Sequence, residues 1–217
     1  MPDYTTRRRM MVDTQVRPSD VTKFPIIDAM LTVPREMFVP ASAREVAYAG
    51  EHVRLAPGRV LLDPRLLAKM LDALDLDGSE LVLDIGGGLG YSSAVVARMT
   101  QAVVMLEEDP ELAREAQSLL SEAGADNVIV QEGALADGAD EHGPYDAILL
   151  EGGVGDLPRT IEAQLKDGGR IACLFMEGRM GKVKVGHKIN GEISWRYVFD
   201  AGAPILPGFE KQTAFTF

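Results

Sequence analysis

The chain has 217 residues, of which 46% are hydrophobic and 25% charged, and its formal net charge at pH 7 is −11. This composition is typical of a globular protein and excludes a disordered chain. No apolar stretch reaches the roughly 20 residues that cross a bilayer, so no membrane association is expected. Residues 105–146 contain twelve acidic residues and a single Lys or Arg, Arg114. Such a surface repels phosphate backbones, which argues against nucleic acid as a substrate.

Cysteine and histidine usage limits the chemistry further. Cys173 is the only cysteine, so an intramolecular disulfide is excluded. With no apolar core after the charged N-terminal residues, the sequence predicts a cytoplasmic protein without a signal peptide. His52, His142 and His187 lack the spacing of metal ligands, and no metal site is expected.

The first eighty residues predict helices. Residues 5–16 form one candidate, and Pro25 suits the first turn of a second that Pro34 ends. Asp63 and Pro64 open a third, because Asp63 accepts free amide hydrogens and Pro64 has none to offer.

From Leu81 onward, short buried runs alternate with helix-length segments, which predicts a parallel sheet covered on both faces. The runs are residues 81–83, 102–106, 127–130, 147–150 and 170–175. The tail lacks this alternation, and its strand-like segments predict antiparallel edge strands. These segments are residues 182–189, 193–199 and 213–217.

The most informative segment is the glycine turn after the first buried run. An apolar run ends in Asp84, Gly86, Gly88 and Gly90 follow, and a helix is predicted over 92–99. A dinucleotide-binding turn would place its third glycine at Tyr91, and no Gly-Lys-Ser/Thr follows to make a phosphate-binding loop. The acid-x-Gly-x-Gly-x-Gly spacing instead resembles motif I of S-adenosylmethionine-dependent methyltransferases.

A second acid stands where a nucleoside ligand needs one. Glu107 follows Asp84 by 23 residues and ends the next predicted strand. Doubly wound folds place a carboxylate there to accept both ribose hydroxyls. Asp84 and the turn are expected to meet the amino-acid end of S-adenosylmethionine. The same acid would serve NAD, so an NAD-binding module stays open as a third interpretation.

Further segments, in order and at matching spacing, resemble the protein-L-isoaspartate O-methyltransferase family. Val33 to Pro40 is similar to its V-P-R-x-x-F-V segment, and Ala47-Tyr48 to its A-Y pair. Met105-Leu106-Glu107 is similar to the family's S-I-E. Residues 145–149 and 165–170 resemble its F-D-x-I-I and L-K-x-G-G-R segments.

The resemblance implies an α/β fold: a doubly wound, mostly parallel seven-stranded sheet with antiparallel C-terminal strands and an N-terminal helical extension. One domain over 1–217 is expected, with a helical and substrate-loop region (1–80), a cofactor-binding core (81–180) and C-terminal strands (181–217). The implied activity is methylation of L-isoaspartyl carboxylates in damaged proteins or peptides, with S-adenosylmethionine as methyl donor. Gly133 joins the predicted cofactor-binding residues, because it aligns with the first glycine of the family's G-D-G.

Four positions depart from the family pattern. Leu62 stands where the family has a serine beside the substrate, and Ala134 replaces the acid that reads adenine. Gly50 replaces an acid after the A-Y pair, and Glu151 opens Glu-Gly-Gly in place of T-A-A. These departures keep two alternatives open: a methyltransferase of altered acceptor specificity, and a catalytically silent cofactor-binding relative.

The catalytic assignments follow from the chemistry of the acceptor. A carboxylic acid with a pKa of about 4 is ionised at neutral pH, so methyl transfer needs alignment rather than a general base. Arg59, in the predicted substrate loop, is a candidate for steadying the substrate carboxylate; the alternative is a solvent-facing side chain. Glu151 would suit an amine or hydroxyl acceptor that must lose a proton.

Overall fold

The computed structural model describes residues 3–211. The strands are β1 (Val53–Ala56), β2 (Arg59–Leu61), β3 (Leu81–Ile85), β4 (Ala102–Glu107), β5 (Val128–Glu132), β6 (Tyr145–Val154), β7 (Leu165–Glu177), β8 (Met180–Ile189) and β9 (Glu192–Ala201). The helices are α1 (Tyr4–Met11), α2 (Phe24–Thr32), α3 (Pro64–Leu74), α4 (Tyr91–Ala97), α5 (Pro110–Glu122) and α6 (Arg159–Gln164).

Seven of these strands form one sheet in the order β5-β4-β3-β6-β7-β8-β9, and β1 pairs with β2 in a separate antiparallel hairpin. Strands β3 to β7 are parallel, whereas β8 and β9 add antiparallel edges. The strand order reverses at β3, which lies between β4 and β6. Ligands of open α/β sheets bind beyond the carboxyl ends of the strands at such a reversal.

Alternating side chains of the parallel strands supply two cores, one on each face of the sheet. In β3, Val82 packs on one face, and Leu83 and Ile85 pack on the other. Apolar residues of α1 to α5 cover the first face, while α6 and residues 135–139 cover part of the second. The predicted doubly wound α/β sheet with an N-terminal helical extension is therefore confirmed.

Local signals read from the sequence set the helix starts. Asp63 accepts a hydrogen bond from the Leu66 amide at 2.9 Å, and Asp109 caps α5 in the same way. Pro25 lies in the first turn of α2. The helical path of α1 continues through a π-helical turn, Val12–Val16, and a 3-10 turn.

One detail differs from the expectations, and two further points concern residues 213–217 and membrane-spanning helices. The predicted substrate loop is partly ordered as β2 and packs over the sheet as half of a hairpin. The strand expected over 213–217 lies outside the described residues. Within residues 3–211, no helix has the length and apolar character needed to cross a membrane.

Candidate active site

The glycine turn lies at the reversal of strand order. Gly86, Gly88 and Gly90 have φ values of 80°, 60° and 98°, a region that side chains with a Cβ rarely adopt. The Gly86 amide donates to the Leu106 carbonyl at 2.8 Å, which ties the turn to β4. Ile85 is level with Leu106 and Leu150 in the sheet. The next residues on the two sides, Glu107 and Glu151, therefore flank the turn.

Asp84 is completely buried beneath the turn. Its Oδ2 accepts hydrogen bonds from the hydroxyls of Ser92 and Ser93 at 2.6 and 2.5 Å. Its Oδ1 has no hydrogen-bond partner among residues 3–211. Burial raises the pKa of Asp84 to about 6, against the effect of the two serine hydroxyls. The unpaired oxygen is free to accept a hydrogen bond from a ligand.

Glu107 is completely buried, and its carboxylate accepts five hydrogen bonds from the described residues. Its carboxylate accepts from the backbone amides of Gly88, Glu108 and Asp109 at 2.9, 2.9 and 3.1 Å. Arg59 adds two hydrogen bonds, Nη1 to Oε1 at 2.6 Å and Nη2 to Oε2 at 2.7 Å. The predicted ribose acceptor is thus engaged by a side chain of the same molecule.

Arg59 enters the site from β2 and is 5% exposed, so it does not face solvent. Its Nη2 also donates to the Gly86 carbonyl at 2.8 Å. A Cβ built on Gly86 would lie 3.1 Å from this nitrogen, and one on Gly88 would lie 2.5 Å from Leu55 Cδ1. The β1–β2 hairpin therefore fills the concave side of the glycine turn.

Glu151, on the other side of the turn, is buried with its Oε1 unpaired within the described part of the chain. Burial, reinforced by the charge of Asp84, raises the pKa of Glu151 well above its usual value. Tyr91, the first residue of α4, likewise has an unpaired and buried hydroxyl. These groups make a polar interior next to the turn.

Arg35, from the N-terminal region, is buried and lies at the edge of this polar interior against Tyr91. Its guanidinium carbon lies 4.8 Å from the centre of the Tyr91 ring. Its Nε donates to the Ala47 carbonyl at 2.6 Å and its Nη2 to the Leu62 carbonyl at 2.7 Å. Burial lowers the pKa of Arg35. Arg35 thus fixes the backbone of the segment that contains Leu62, the residue predicted to occupy the position of the family's serine.

The Leu62 side chain is 1% exposed and belongs to the main hydrophobic core. It contributes no polar group to the site. Any contact between this segment and a substrate must therefore come from other residues.

A C-terminal segment covers the turn from the side of β6. The Gly153 amide donates to the Pro204 carbonyl at 2.7 Å, and the Leu206 amide donates to the Gly153 carbonyl at 2.9 Å. A Cβ on Gly152 would lie 2.7 Å from the Leu206 side chain, and one on Gly86 would lie 3.1 Å from it. The two glycines after Glu151 thus permit a close approach that alanines would block.

An open groove of about 620 Å³ lies beside the covered turn. It runs between the ends of β4 and β5 and is lined by Glu108, Glu132, Gly133 and Ala134, among others. Ala134 is exposed there. The Gly133 amide donates to the Glu107 carbonyl at 3.1 Å, so the predicted Gly133 lies next to the predicted ribose acceptor.

The predicted cofactor-binding residues therefore converge at one place. The site suits a donor with a nucleoside and a charged amino-acid end. It combines glycines in the left-handed backbone conformation, the unpaired Asp84 oxygen, the Glu107 carboxylate and the groove beside Gly133. The residues fit S-adenosylmethionine, while Arg59 and Leu55 lie in the concavity that its ribose would enter.

This sheet and its glycine turn define the fold of a class I methyltransferase. A family model described as protein-L-isoaspartate(D-aspartate) O-methyltransferase matches residues 7–201. The chain belongs to this family, whose members are S-adenosylmethionine-dependent enzymes that act on isoaspartyl-containing proteins.

Individual relatives agree. The protein-L-isoaspartate O-methyltransferase of Syntrophus aciditrophicus is 37% identical over 171 residues, 79% of this chain and 78% of its own. Protein-L-isoaspartate O-methyltransferase 2 of Pelobacter propionicus is 38% identical over 165 residues, 76% of this chain and 73% of its own.

Solved structures show the same fold. One named protein-L-isoaspartate O-methyltransferase superimposes with a TM-score of 0.82 at 25% identity, covering 94% of this chain and 67% of the other. A Plasmodium falciparum protein described as a putative member, in complex with S-adenosyl-L-homocysteine, gives 0.79 at 19% identity, covering 95% and 99%.

Two residues that shape the site, Leu55 and Leu206, were not predicted from the sequence, and neither was the burial of Arg35 within the family-like segment 33–40. Leu55 and Leu206 have no local signal, and the Val-Pro-Arg pattern does not show the burial of Arg35, because all three act through contacts between distant parts of the chain. The Pro57-Gly58 pair between β1 and β2 was the available hint of a hairpin.

Proposed function

We propose that this protein transfers a methyl group from S-adenosylmethionine to the carboxylate of L-isoaspartyl residues in damaged proteins or peptides. The observation that carries the proposal is the glycine turn at the end of β3, flanked by Glu107, in a chain that the family model matches over residues 7–201. The lone Cys173 supports a cytoplasmic setting.

We infer that Asp84, Gly86, Gly88, Gly90, Glu107 and Gly133 hold the donor. S-adenosylmethionine supplies, when bound, a methyl group on a sulfonium that a carboxylate oxygen can displace. The unpaired Asp84 Oδ1 accepts from the amino-acid end, and the glycines let the backbone approach closely. Glu107 accepts from the ribose hydroxyls once Arg59 no longer occupies it.

The acceptor needs no base because its carboxylate is already ionised at neutral pH. The task of the protein is to align the carboxylate and exclude water, and orientation alone is worth roughly 7 kcal/mol or more. Buried groups around the turn, including Tyr91 and Glu151, provide a water-poor environment.

A catalytically silent or respecialised relative is the second candidate. It is favoured by the burial of Leu62 in the core, which leaves no hydroxyl at the serine position, and by the buried carboxyl of Glu151. A carboxyl group beside the methyl-transfer site would suit an acceptor that has to lose a proton.

The test is an incubation of the full chain with S-adenosylmethionine and matched peptides. One peptide contains an isoaspartyl residue, its control contains aspartate, and a third offers lysine and serine without an isoaspartyl residue. Mass spectrometry should find a base-labile methyl ester on the isoaspartyl peptide alone. Methylation of the third peptide instead would favour altered specificity, and no methylation of any peptide would favour the silent relative.

A further inference from the structure

The Arg59 guanidinium makes the pair of hydrogen bonds to Glu107 that the ribose of the donor is proposed to make. Two parallel N–H groups of Arg59 donate to the two carboxylate oxygens at 2.6 and 2.7 Å. A ribose presents two adjacent hydroxyls, which would make the same pair of hydrogen bonds to one carboxylate. Both ligands cannot use Glu107 at once, since the Arg59 guanidinium lies against both carboxylate oxygens, where the two ribose hydroxyls would have to lie.

Arg59 also supplies positive charge where the donor would bring its own. Its charge acts on both Asp84, which is buried beneath the glycine turn, and Glu151, which is buried at one side of it. S-adenosylmethionine carries a sulfonium and an ammonium group. Replacing Arg59 with the donor would therefore exchange one cation for another among the same carboxyl groups.

The hairpin that carries Arg59 packs its apolar side chains against the core but lies outside the main sheet. In β1 and β2, Val53, Arg59 and Leu61 are buried, while Arg54 and the turn residues Pro57 and Gly58 are exposed. The hairpin pairs with itself and is not part of the seven-stranded sheet. Moving it aside would break no hydrogen bond of that sheet.

The neighbouring groove is open while the concavity of the turn is filled. An adenine base could reach the groove beside Gly133 without any change in the chain. The ribose and methionine parts could enter only where Arg59 and Leu55 now lie.

We propose that the β1–β2 hairpin is an internal latch on the methyl-donor site, with Arg59 held by Glu107 in place of the donor ribose. Donor binding displaces Arg59, so the closed form competes with the donor. The apparent Kd is then the intrinsic Kd divided by the fraction of molecules that are open. This inference rests on the proposed donor site but not on the identity of the acceptor.

Titration calorimetry of the full chain with S-adenosylhomocysteine tests the latch. The variants are Arg59→Met and, as a control, Arg54→Met, which removes the same charge from an exposed position of the hairpin. Arg59→Met should bind about tenfold or more tightly than wild type, and Arg54→Met should bind like wild type. Unchanged or weaker binding by Arg59→Met, or no binding by any variant, would overturn the latch.

A crystal structure of wild type with S-adenosylhomocysteine decides the question if Arg59→Met does not fold. The latch predicts that the Arg59–Glu107 ion pair is broken in that complex. A ligand bound in the turn with the pair intact would overturn it. Wild type that methylates isoaspartyl peptides while Arg59→Met binds no more tightly would refute the latch alone. Tighter binding without methylation of any isoaspartyl peptide would refute only the proposed function.

Discussion

The two nitrogens Nη1 and Nη2 of Arg59 pair with the two carboxylate oxygens of Glu107, at 2.6 and 2.7 Å, with both side chains buried. The two partners are not equally dependent on each other. Without Arg59, Glu107 keeps three backbone amide donors, from Gly88, Glu108 and Asp109. Without Glu107, Arg59 keeps only its hydrogen bond to the Gly86 carbonyl within residues 3–211, and three amides lose their acceptor.

This asymmetry predicts unequal losses of stability. Removing one partner of a buried ion pair costs about 3–5 kcal/mol when it leaves an unpaired charge. Glu107→Ala should lower the free energy of unfolding by that amount, and Arg59→Met should lower it by less. Urea unfolding of both variants measures the difference. Equal losses would mean that the backbone amides do not support the carboxylate.

The buried carboxyl of Glu151 predicts a pH dependence of stability. Its pKa is raised in the folded state, chiefly by burial, so the folded protein keeps a proton that the unfolded chain releases above about pH 4.3. Stability should then fall as pH rises, by about 1.4 kcal/mol per pH unit for this group, until its folded pKa is reached. Asp84, with a pKa of about 6, adds a similar fall that ends near pH 6.

Glu151→Gln isolates this contribution because glutamine is uncharged at every pH. The variant should be more stable than wild type at pH 8 and closest to it near pH 4, where the carboxyl is protonated in both states. Urea unfolding at pH 4.5, 6 and 8 measures the two curves. Parallel curves for wild type and variant would show that Glu151 is ionised in the folded protein.

Replacing Leu62 with the family's serine is expected to reduce stability without increasing activity. Since the Leu62 side chain is packed in the core, Leu62→Ser should cost about 2–5 kcal/mol of unfolding free energy. The serine hydroxyl should not raise kcat/KM for an isoaspartyl peptide. Leu62→Ala is the matched control, because it makes a similar cavity without a hydroxyl. A higher kcat/KM for the serine variant alone would place this side chain in the substrate site.

Replacing Ala134 with an acid is expected to increase the affinity for the donor. Ala134 is exposed in the open groove next to Gly133, and the resemblance aligns it with the family's adenine-reading acid. Ala134→Asp should bind S-adenosylhomocysteine about three- to tenfold more tightly, the value of one hydrogen bond of about 1 kcal/mol. Ala134→Leu, which cannot accept a hydrogen bond, should show no gain in calorimetry. Equal affinities for the aspartate variant and wild type would place the adenine elsewhere.

The sequence predicted the sheet because short apolar runs alternate with helix-length segments, one of which, α5, begins at an Asp-Pro start signal like that of α3. Asp63 and Asp109 cap their helices through contacts two or three residues away, which a local pattern can show. The observed strands are longer than the predicted runs, since β6 and β7 extend into polar and glycine-containing residues.

The side chains that fill the glycine turn could not be predicted from local sequence patterns. Arg59 and Glu107 are 48 residues apart, and their pairing depends on how the hairpin folds over β3 and β4. Leu206 reaches Gly86 from more than a hundred residues away. Glycine spacing therefore predicted where a donor would bind, while the side chains that now fill this place follow from tertiary packing.

The most direct measurement is kcat/KM for methyl transfer to an isoaspartyl peptide, run in parallel with the Syntrophus aciditrophicus relative. The account predicts measurable transfer by this protein to the isoaspartyl peptide and none to the aspartyl control. Its KM for S-adenosylmethionine should decrease in the Arg59→Met variant. No transfer by wild type or by Arg59→Met, while the relative methylates the same peptide, would contradict the proposed activity.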